Sequence, residues 1–238
     1  MKRTIKSGAK KIANAMALLS AELFAVFIIF FISLATLIVV IRQIFFHKKN
    51  TFDDSGFNYL GQHVTNTHTA VMQGFSFFGS HLFLIPACLL LFTFLFLKYK
   101  SKWYFIKAVT VAVSNLLLMF GLKFFFNRPR PLIPLLKEVP GLSFPSGHAF
   151  MSLSFFGLII YFIYLEVTNK WVKWITIIVL IAVIFLVGLS RVYLRVHYTS
   201  DVIAGFCFGT VSLIILLWML RQLEKFNDKK IPHQLKVT

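Results

Sequence analysis

Cysteine and acid are the scarce residues of this chain. Its 238 residues hold two cysteines and eight carboxylates. Cys88 and Cys207 both fall inside long apolar runs, which points away from a disulfide framework and from a zinc site. Outside the C-terminal tail the carboxylates are Glu22, Asp53, Asp54, Glu138, Glu166 and Asp201, and they form no acidic cluster of the kind that binds a metal. Internal repeats, low-complexity tracts and interdomain linkers are also missing, so one domain is expected. A net charge of +17 would ordinarily suggest nucleic acid. Here the charge sits in short segments between apolar runs, where membrane orientation and anionic headgroups account for it.

Hydrocarbon is what the chain has in excess. Hydrophobic residues make up 58% and the mean hydropathy is +0.79, against about 45–50% apolar residues in ordinary soluble domains. The uncharged runs Leu23–Ile41, Phe78–Leu97, Ala149–Leu165 and Val202–Leu220 each approach the roughly 20 residues that cross a bilayer as a helix. Trp103–Phe126 and Trp174–Ser190 join them once their aromatic flanks are counted. The expected architecture is all-α: a polytopic membrane protein of six transmembrane helices. The first run is longer than a signal core and lacks a small-residue cleavage site, so it reads as a retained anchor.

Charge sets the orientation. With the N-terminus inside, the inner segments carry 16 Lys and Arg and the outer segments 9, so both termini are expected in the cytoplasm of a multi-pass cytoplasmic-membrane protein. Trp103, Trp171, Trp174 and Trp218 all fall at the inner boundary, where amphipathic rings favour the headgroup layer. The whole chain, 1–238, reads as a single membrane domain: a basic cytoplasmic stretch 1–22, a six-span core 23–221 and a cytoplasmic tail 222–238. Between the first two spans, Phe57, Leu60, Val64, Val71 and Phe75 recur at helical spacing. They predict an interfacial helix over Thr51–Ser76, with Asp53, Asp54 and Ser55 as caps. Pro86 predicts a kink inside a span and Asn115 an interhelical hydrogen bond.

The ionisable residues that a bilayer discourages fall into three clusters. Lys123 ends the third span, seven positions before Arg130-Pro131; Pro145-Ser146-Gly147-His148 opens the fourth; Ser190-Arg191 closes the fifth, and His197 and Asp201 precede the sixth. The third-to-fourth and fifth-to-sixth connections emerge on the same face whichever way the chain inserts, so the clusters meet at one membrane surface. Lys123, Arg130 and Arg191 supply three cations, two of them planar forks suited to phosphate oxygens. Ser146 and Gly147 stand where a helix begins, with N–H groups that lack intrahelical partners and point toward an anion. His197 and Asp201, one turn apart, offer a neutral imidazole whose tautomer is fixed by a carboxylate. His148 can protonate a departing oxygen. Charge neutralisation and in-line placement are most of what phosphoryl transfer needs, so no cofactor or metal is called for.

Lys123, six residues, Arg130-Pro131; Pro145-Ser146-Gly147-His148; Ser190-Arg191, five residues, His197, three residues, Asp201: this pattern resembles the three-part signature of the type 2 phosphatidic acid phosphatase superfamily. That superfamily includes bacterial phosphatidylglycerophosphate and undecaprenyl diphosphate phosphatases, and vanadium haloperoxidases share its site. The resemblance covers the chain from the third span onward. It implies a phosphohistidine at His197 oriented by Asp201, His148 as general acid, and phosphate binding by Lys123, Arg130, Ser146, Gly147 and Arg191. It also implies that Ser190 helps position the phosphate loop. Arg128, in the first of two Arg-Pro pairs, lacks the family spacing and is expected as an extra phosphate or headgroup contact. Arg195 is expected at headgroups or solvent, and His63, His68 and His81 are given no role.

The expected function is metal-independent hydrolysis of lipid phosphates at the outer face, on undecaprenyl diphosphate, phosphatidylglycerophosphate or phosphatidic acid, with a bell-shaped pH profile. Transfer of the phosphoryl group to a lipid hydroxyl stays open, as does an anion or lipid transporter. The expected partners are a lipid phosphate and the bilayer, not nucleic acid.

Overall fold

The computed structural model describes residues 2–47, 51–135 and 140–230, with only the helical backbone described for 2–21 and 229–230. Lys48, Lys49, Lys137, Glu138 and the tail beyond 230 lie outside the described residues. The helices are α1 (Lys2–Ile41, continued by a π turn Arg42–Phe46), α2 (Thr51–Gly61), α3 (Asn66–Phe78), α4 (His81–Lys98), α5 (Trp103–Phe126), α6 (Gly147–Glu166), α7 (Lys170–Tyr193) and α8 (Thr199–Lys230). No strand occurs among the described residues. Six helices are long and apolar enough to cross a membrane: α1 from Glu22 with its π turn, and α4 to α8. This is the expected six-span, all-α plan. The expected borders at 22 and 222 fall inside α1 and α8, both of which run on as helix.

Lipid tails are as apolar as leucine, so burying leucine does not by itself bring these helices together. Close packing and internal polar bonds do. Helix α8 is the hub, packed on α1, α5 and α6. Gly205 and Gly209, one turn apart on α8, face α6. A Cβ at Gly205 would stand 2.8 Å from the Ser146 carbonyl oxygen, and one at Gly209 3.2 Å from that of Phe150. The two backbones therefore approach as only small residues allow. Asn115 of α5 donates from Nδ2 to Ser154 Oγ of α6 at 2.9 Å, the interhelical bond its buried amide calls for.

Below this contact, away from the end that carries Lys123, Arg130 and His197, Leu95, Ala108, Val111, Leu158, Phe162, Leu213, Leu217 and Leu220 fill the interior. The buried Lys107 pairs there with Glu224 at 2.6 Å. At the opposite end Phe45, Phe126 and Phe208 pack around Phe144, which fixes the segment leading into α6.

The connection between the first two spans differs from expectation. It is two helices, α2 and α3, with a break at 62–65. Gly61 ends α2. Thr65 is extended (φ −137°, ψ 161°) and its hydroxyl accepts from His68 N, so it caps a new helix. Asp53 and Asp54 lie within the first turn of α2, and Ser55 Oγ donates back to the Thr51 carbonyl at 2.7 Å. None of the three is the expected cap. Asp53 instead points inward and is 2% exposed. Both helices pack on the bundle, α3 against α7 and α2 against α7 and α8, with Thr69 Oγ1 3.1 Å from Tyr193 Oη.

Candidate active site

The residues of the site come from four helix ends and two links. Lys123 is in the last turn of α5 and Arg191 in the last turn of α7; Gly147 and His148 open α6, and Asp201 lies in the first turn of α8. Arg130 follows α5, and His197 sits in the five-residue link 194–198. Every one of these ends lies at the same end of the bundle, as the count of spans requires.

Local bonds set the geometry. Lys123 Nζ donates to the Leu142 carbonyl at 2.6 Å, and its stem lies 3.7 Å from where a Gly147 Cβ would be. Arg130 Nε donates to Gly141 O at 3.2 Å and Nη1 to Val196 O at 3.0 Å. The same Nη1 is 3.4 Å from His197 Nε2. The link is pinned from the α7 side, where the N–H groups of Val196 and His197 donate to Arg191 O.

His197 is 1% exposed. Its Nδ1 lies 3.5 Å from Asp201 Oδ2 and 3.4 Å from Ser143 Oγ. The Ser143 hydroxyl donates to Asp201 Oδ2, so an Nδ1–H faces lone pairs on both partners. Nδ1 is thus the protonated nitrogen, and Nε2 carries its lone pair toward the cations. Burial pushes the ring down to about 4, with Arg130 and Arg191 adding to the fall and the Asp201 carboxylate opposing it. The imidazole is neutral at physiological pH. Burial also draws the Arg130 guanidinium below its usual range, which at such a height leaves it charged.

Arg191 is buried at 7% exposure. Its Nη1 donates to Ser76 Oγ of α3, while its Nε has no hydrogen-bond partner. A buried guanidinium with no carboxylate and an idle donor is costly unless an anion completes it. His148 lies within electrostatic reach of Arg191, His197 and Arg130. It is held from behind by the α3–α4 turn, since a Cβ at Gly79 would stand 3.1 Å from His148 Cβ and 2.4 Å from a Val187 methyl.

Three expectations are modified. The Ser146 N–H is not free, for it donates to the Asp201 carbonyl at 3.0 Å. Its hydroxyl caps α6 by accepting from Ala149 N. Gly147 and His148 therefore supply the first-turn N–H groups left for an anion. Ser190 is fully buried, and its hydroxyl donates to Val187 O within α7, not toward the cations. Arg128 is no headgroup contact. It is 8% exposed and pairs with Asp201 at 2.6 Å and Asp53 at 2.8 Å. Ser143, Ser76, Arg128 and Asp53 are the residues that motif spacing missed. Ser143 was within reach, two positions before Pro145; the other three have no spacing signal.

The sequence pattern of the PAP2 superfamily matches residues 103–225, a stretch that spans every residue of this cluster except those reached from α2 and α3. Phosphatidylglycerophosphatase B of Bacillus subtilis (strain 168) is 31% identical over 161 residues, covering 67% of this chain and 78% of that protein. The chain belongs to the PAP2 superfamily. Among solved structures, a transmembrane PAP2 type phosphatidylglycerolphosphate phosphatase from Bacillus subtilis superposes with a TM-score of 0.71 at 26% identity, covering 84% of this chain and 95% of that one. Aquifex aeolicus LpxE gives a TM-score of 0.53 at 27% identity, covering 68% and 92%. This PAP2 protein is a membrane-spanning phosphatase, and its fold is that of its membrane relatives.

Proposed function

We propose that this PAP2 phosphatase hydrolyses phosphate esters of membrane lipids through a phosphohistidine at His197. The observation that carries the reading is Arg191: a buried guanidinium with an unpartnered Nε, beside a neutral imidazole whose Nε2 faces Arg130. Lys123, Arg130 and Arg191 bring three positive charges. Arg128 balances Asp201 and Asp53 only in part, so the cluster keeps about two units of uncompensated positive charge, the complement of a phosphate dianion.

In the first step the His197 Nε2 lone pair forms a bond to phosphorus while the ester P–O bond breaks. His148 gives its proton to the departing lipid oxygen. Asp201 and Ser143 accept the hydrogen bond from Nδ1–H as the ring gains positive character. Lys123, the two arginines and the Gly147 and His148 N–H groups take the charge on the non-bridging oxygens. In the second step His148, now neutral, removes a proton from water. The hydroxide attacks phosphorus, the N–P bond breaks, and inorganic phosphate leaves.

The lipid class is supported by the site's position at the ends of bilayer helices, where a headgroup can enter while its tails stay in the membrane. Phosphatidylglycerophosphate is favoured by the relatives' names; phosphatidic acid is likewise a monoester, and undecaprenyl diphosphate presents the same terminal phosphoryl group on an anhydride oxygen, with the lipid monophosphate as leaving group. The excess of Lys and Arg at the opposite end supports a single cytoplasmic-membrane domain with both termini in the cytoplasm and the site on the outer face.

Purified protein in detergent, with chelator present, should release phosphate from at least one of these lipids. Quenching in alkaline detergent, where an N–P bond survives, should trap one acid-labile phosphoryl group on His197. His197→Ala should insert normally and lose turnover; hydrolysis by it at the wild-type rate would overturn the assignment. Added lipid alcohols that capture the phosphoryl group would identify a transferase instead, and flux across liposomes without phosphate release a transporter. A cysteine placed in 131–135 should react with an impermeant reagent on whole cells, and labelling only after lysis would reverse the orientation.

A further inference from the structure

Helix α2 lies outside the residues that carry the chemistry, yet it sends a carboxylate into their midst. Gly56 is where it touches: a Cβ there would stand 2.2 Å from Thr199 Oγ1. Only glycine lets the helix rest directly on the start of α8. One turn earlier, on the same face, Asp53 reaches into the contact. Its Oδ1 accepts from Ser200 N at 2.8 Å and its Oδ2 from Ser200 Oγ at 2.8 Å. Oδ2 also accepts from Arg128 Nη2 at 2.8 Å.

Arg128 completes the chain. Its other prong, Nη1, donates to Asp201 Oδ1 at 2.6 Å and to Ser200 Oγ at 2.9 Å. The guanidinium plane lies over the Tyr198 ring with Cζ 4.0 Å from the centroid, and Tyr198 N donates to Asp201 Oδ2 at 2.9 Å. Asp201 therefore has one oxygen held by Arg128 and the other shared by Ser143, Tyr198 N and the His197 ring. A carboxylate held on both oxygens cannot rotate away from the imidazole.

We propose that Asp53 of α2 is a positioning residue for the phosphoryl-transfer step: acting through Arg128 and Ser200, it fixes the orientation and charge balance of Asp201 and hence the attacking ring of His197. The inference rests on the reading of His197 as nucleophile. Its physical basis is that Arg128 bridges two carboxylates with one fork. Lysine, a single point charge, cannot reproduce that bridge. The groups facing His197 are Asp201 from α8, Arg191 from α7, His148 from α6, Arg130 and Ser143 from the segments between α5 and α6, and Lys123 through Asp201. Against this constant background the two outer members of the relay act with opposite sign.

Arg128→Gln leaves Asp201 less neutralised, so the His197 ring protonates more readily and the acid limb of kcat/KM moves up by about one pH unit. Asp53→Asn commits Arg128 wholly to Asp201 and moves the limb down. The double variant restores the wild-type charge sum and returns the limb near its starting point. In both single variants kcat falls by about 10- to 100-fold, as is usual when a buried orienting partner is lost, while KM stays within about twofold. Arg128→Lys fails to rescue kcat.

Thermal unfolding in detergent separates loss of fold from loss of positioning. A histidine-labelled NMR titration, with the His197 signals assigned from a His197→Asn spectrum, reads the same shifts without turnover. Limbs that move together or not at all would overturn the relay, as would a raised KM at unchanged kcat, which would make Arg128 a headgroup ligand. An inactive wild type whose His197 titration still shows opposed shifts would sink the lipid-phosphate reading and leave the relay standing.

Discussion

Acidification is the most direct probe of His197, the proposed nucleophile. An ordinary histidine titrates near about 6.5, so at pH 5.5 only about a tenth of it would be neutral. Burial holds the His197 ring at about 4, and at pH 5.5 about 97% of it keeps its lone pair. The structure therefore predicts that the nucleophile's share of kcat/KM is kept at pH 5.5, where an unperturbed ring would have lost about 90%, so that kcat/KM does not fall below its neutral-pH value. The substrate's own second ionisation, near about 6, must be measured by phosphorus NMR and divided out. After that correction, an acid limb with its midpoint near 6.5 would refute the reasoning. The same depression predicts a stability effect. Because the folded-state value is the lower one, the unfolded chain takes up the proton first, and stability falls as pH drops from about 6.5 to about 4. A shift from 6.5 to about 4 in a ring that is 1% exposed corresponds to about 3 kcal/mol at most. His197→Asn should lose that dependence in detergent-based thermal unfolding.

His148→Ala should slow lipid esters by about 10²- to 10⁴-fold, the usual worth of a general acid; aryl phosphates, which need no protonation to depart, should lose far less. Equal losses on both substrates would remove His148 from the leaving-group step. Gly79→Ala drives a methyl into Val187 and toward His148; it should lower kcat and leave phosphoenzyme formation from aryl phosphates less affected, as measured by rapid quench. At the far end of the bundle, Glu224→Gln strands the Lys107 ammonium, which is 5% exposed. It should destabilise by about 1–3 kcal/mol, and Lys107→Met in the same chain should recover most of the loss. A double-variant chain no more stable than Glu224→Gln would contradict that account.

Span count and the gathering of the motif residues at one end were legible because both follow from strong, local signals. Bilayer thickness imposes run length on each span, and parity alone brings Lys123, Arg130, His148, Arg191 and His197 to one end. The Gly205–Gly209 contact drew no reading from the sequence, since which helix the pair meets is a tertiary matter. Asp53 and Arg128 were not legible as partners. They are separated by 75 positions, and each has a plausible local alternative, a helix cap for one and a headgroup contact for the other. Only the docking of α2 on Thr199 removes both alternatives. The single helix expected over 51–76 failed for a related reason: apolar periodicity persisted across residues 62–65, while Gly61 and the Thr65 cap broke the backbone beneath it. Ser146 shows the same limit at atomic scale. A free first-turn N–H is the rule at a helix start, and its capture by the Asp201 carbonyl depends on α8 lying alongside.

The His197 imidazole hangs on a link of five residues between two long helices. Its elevation is therefore dictated by the helices beside it, not by a loop able to flex. Helix α7 has 24 residues, about 36 Å of rise, against a hydrocarbon slab of about 30 Å. In a thicker host membrane the bundle cannot lengthen, and the proposed site would sink relative to the plane of headgroups. Acyl-chain length in the surrounding lipid should thus govern turnover even when the substrate itself is unchanged.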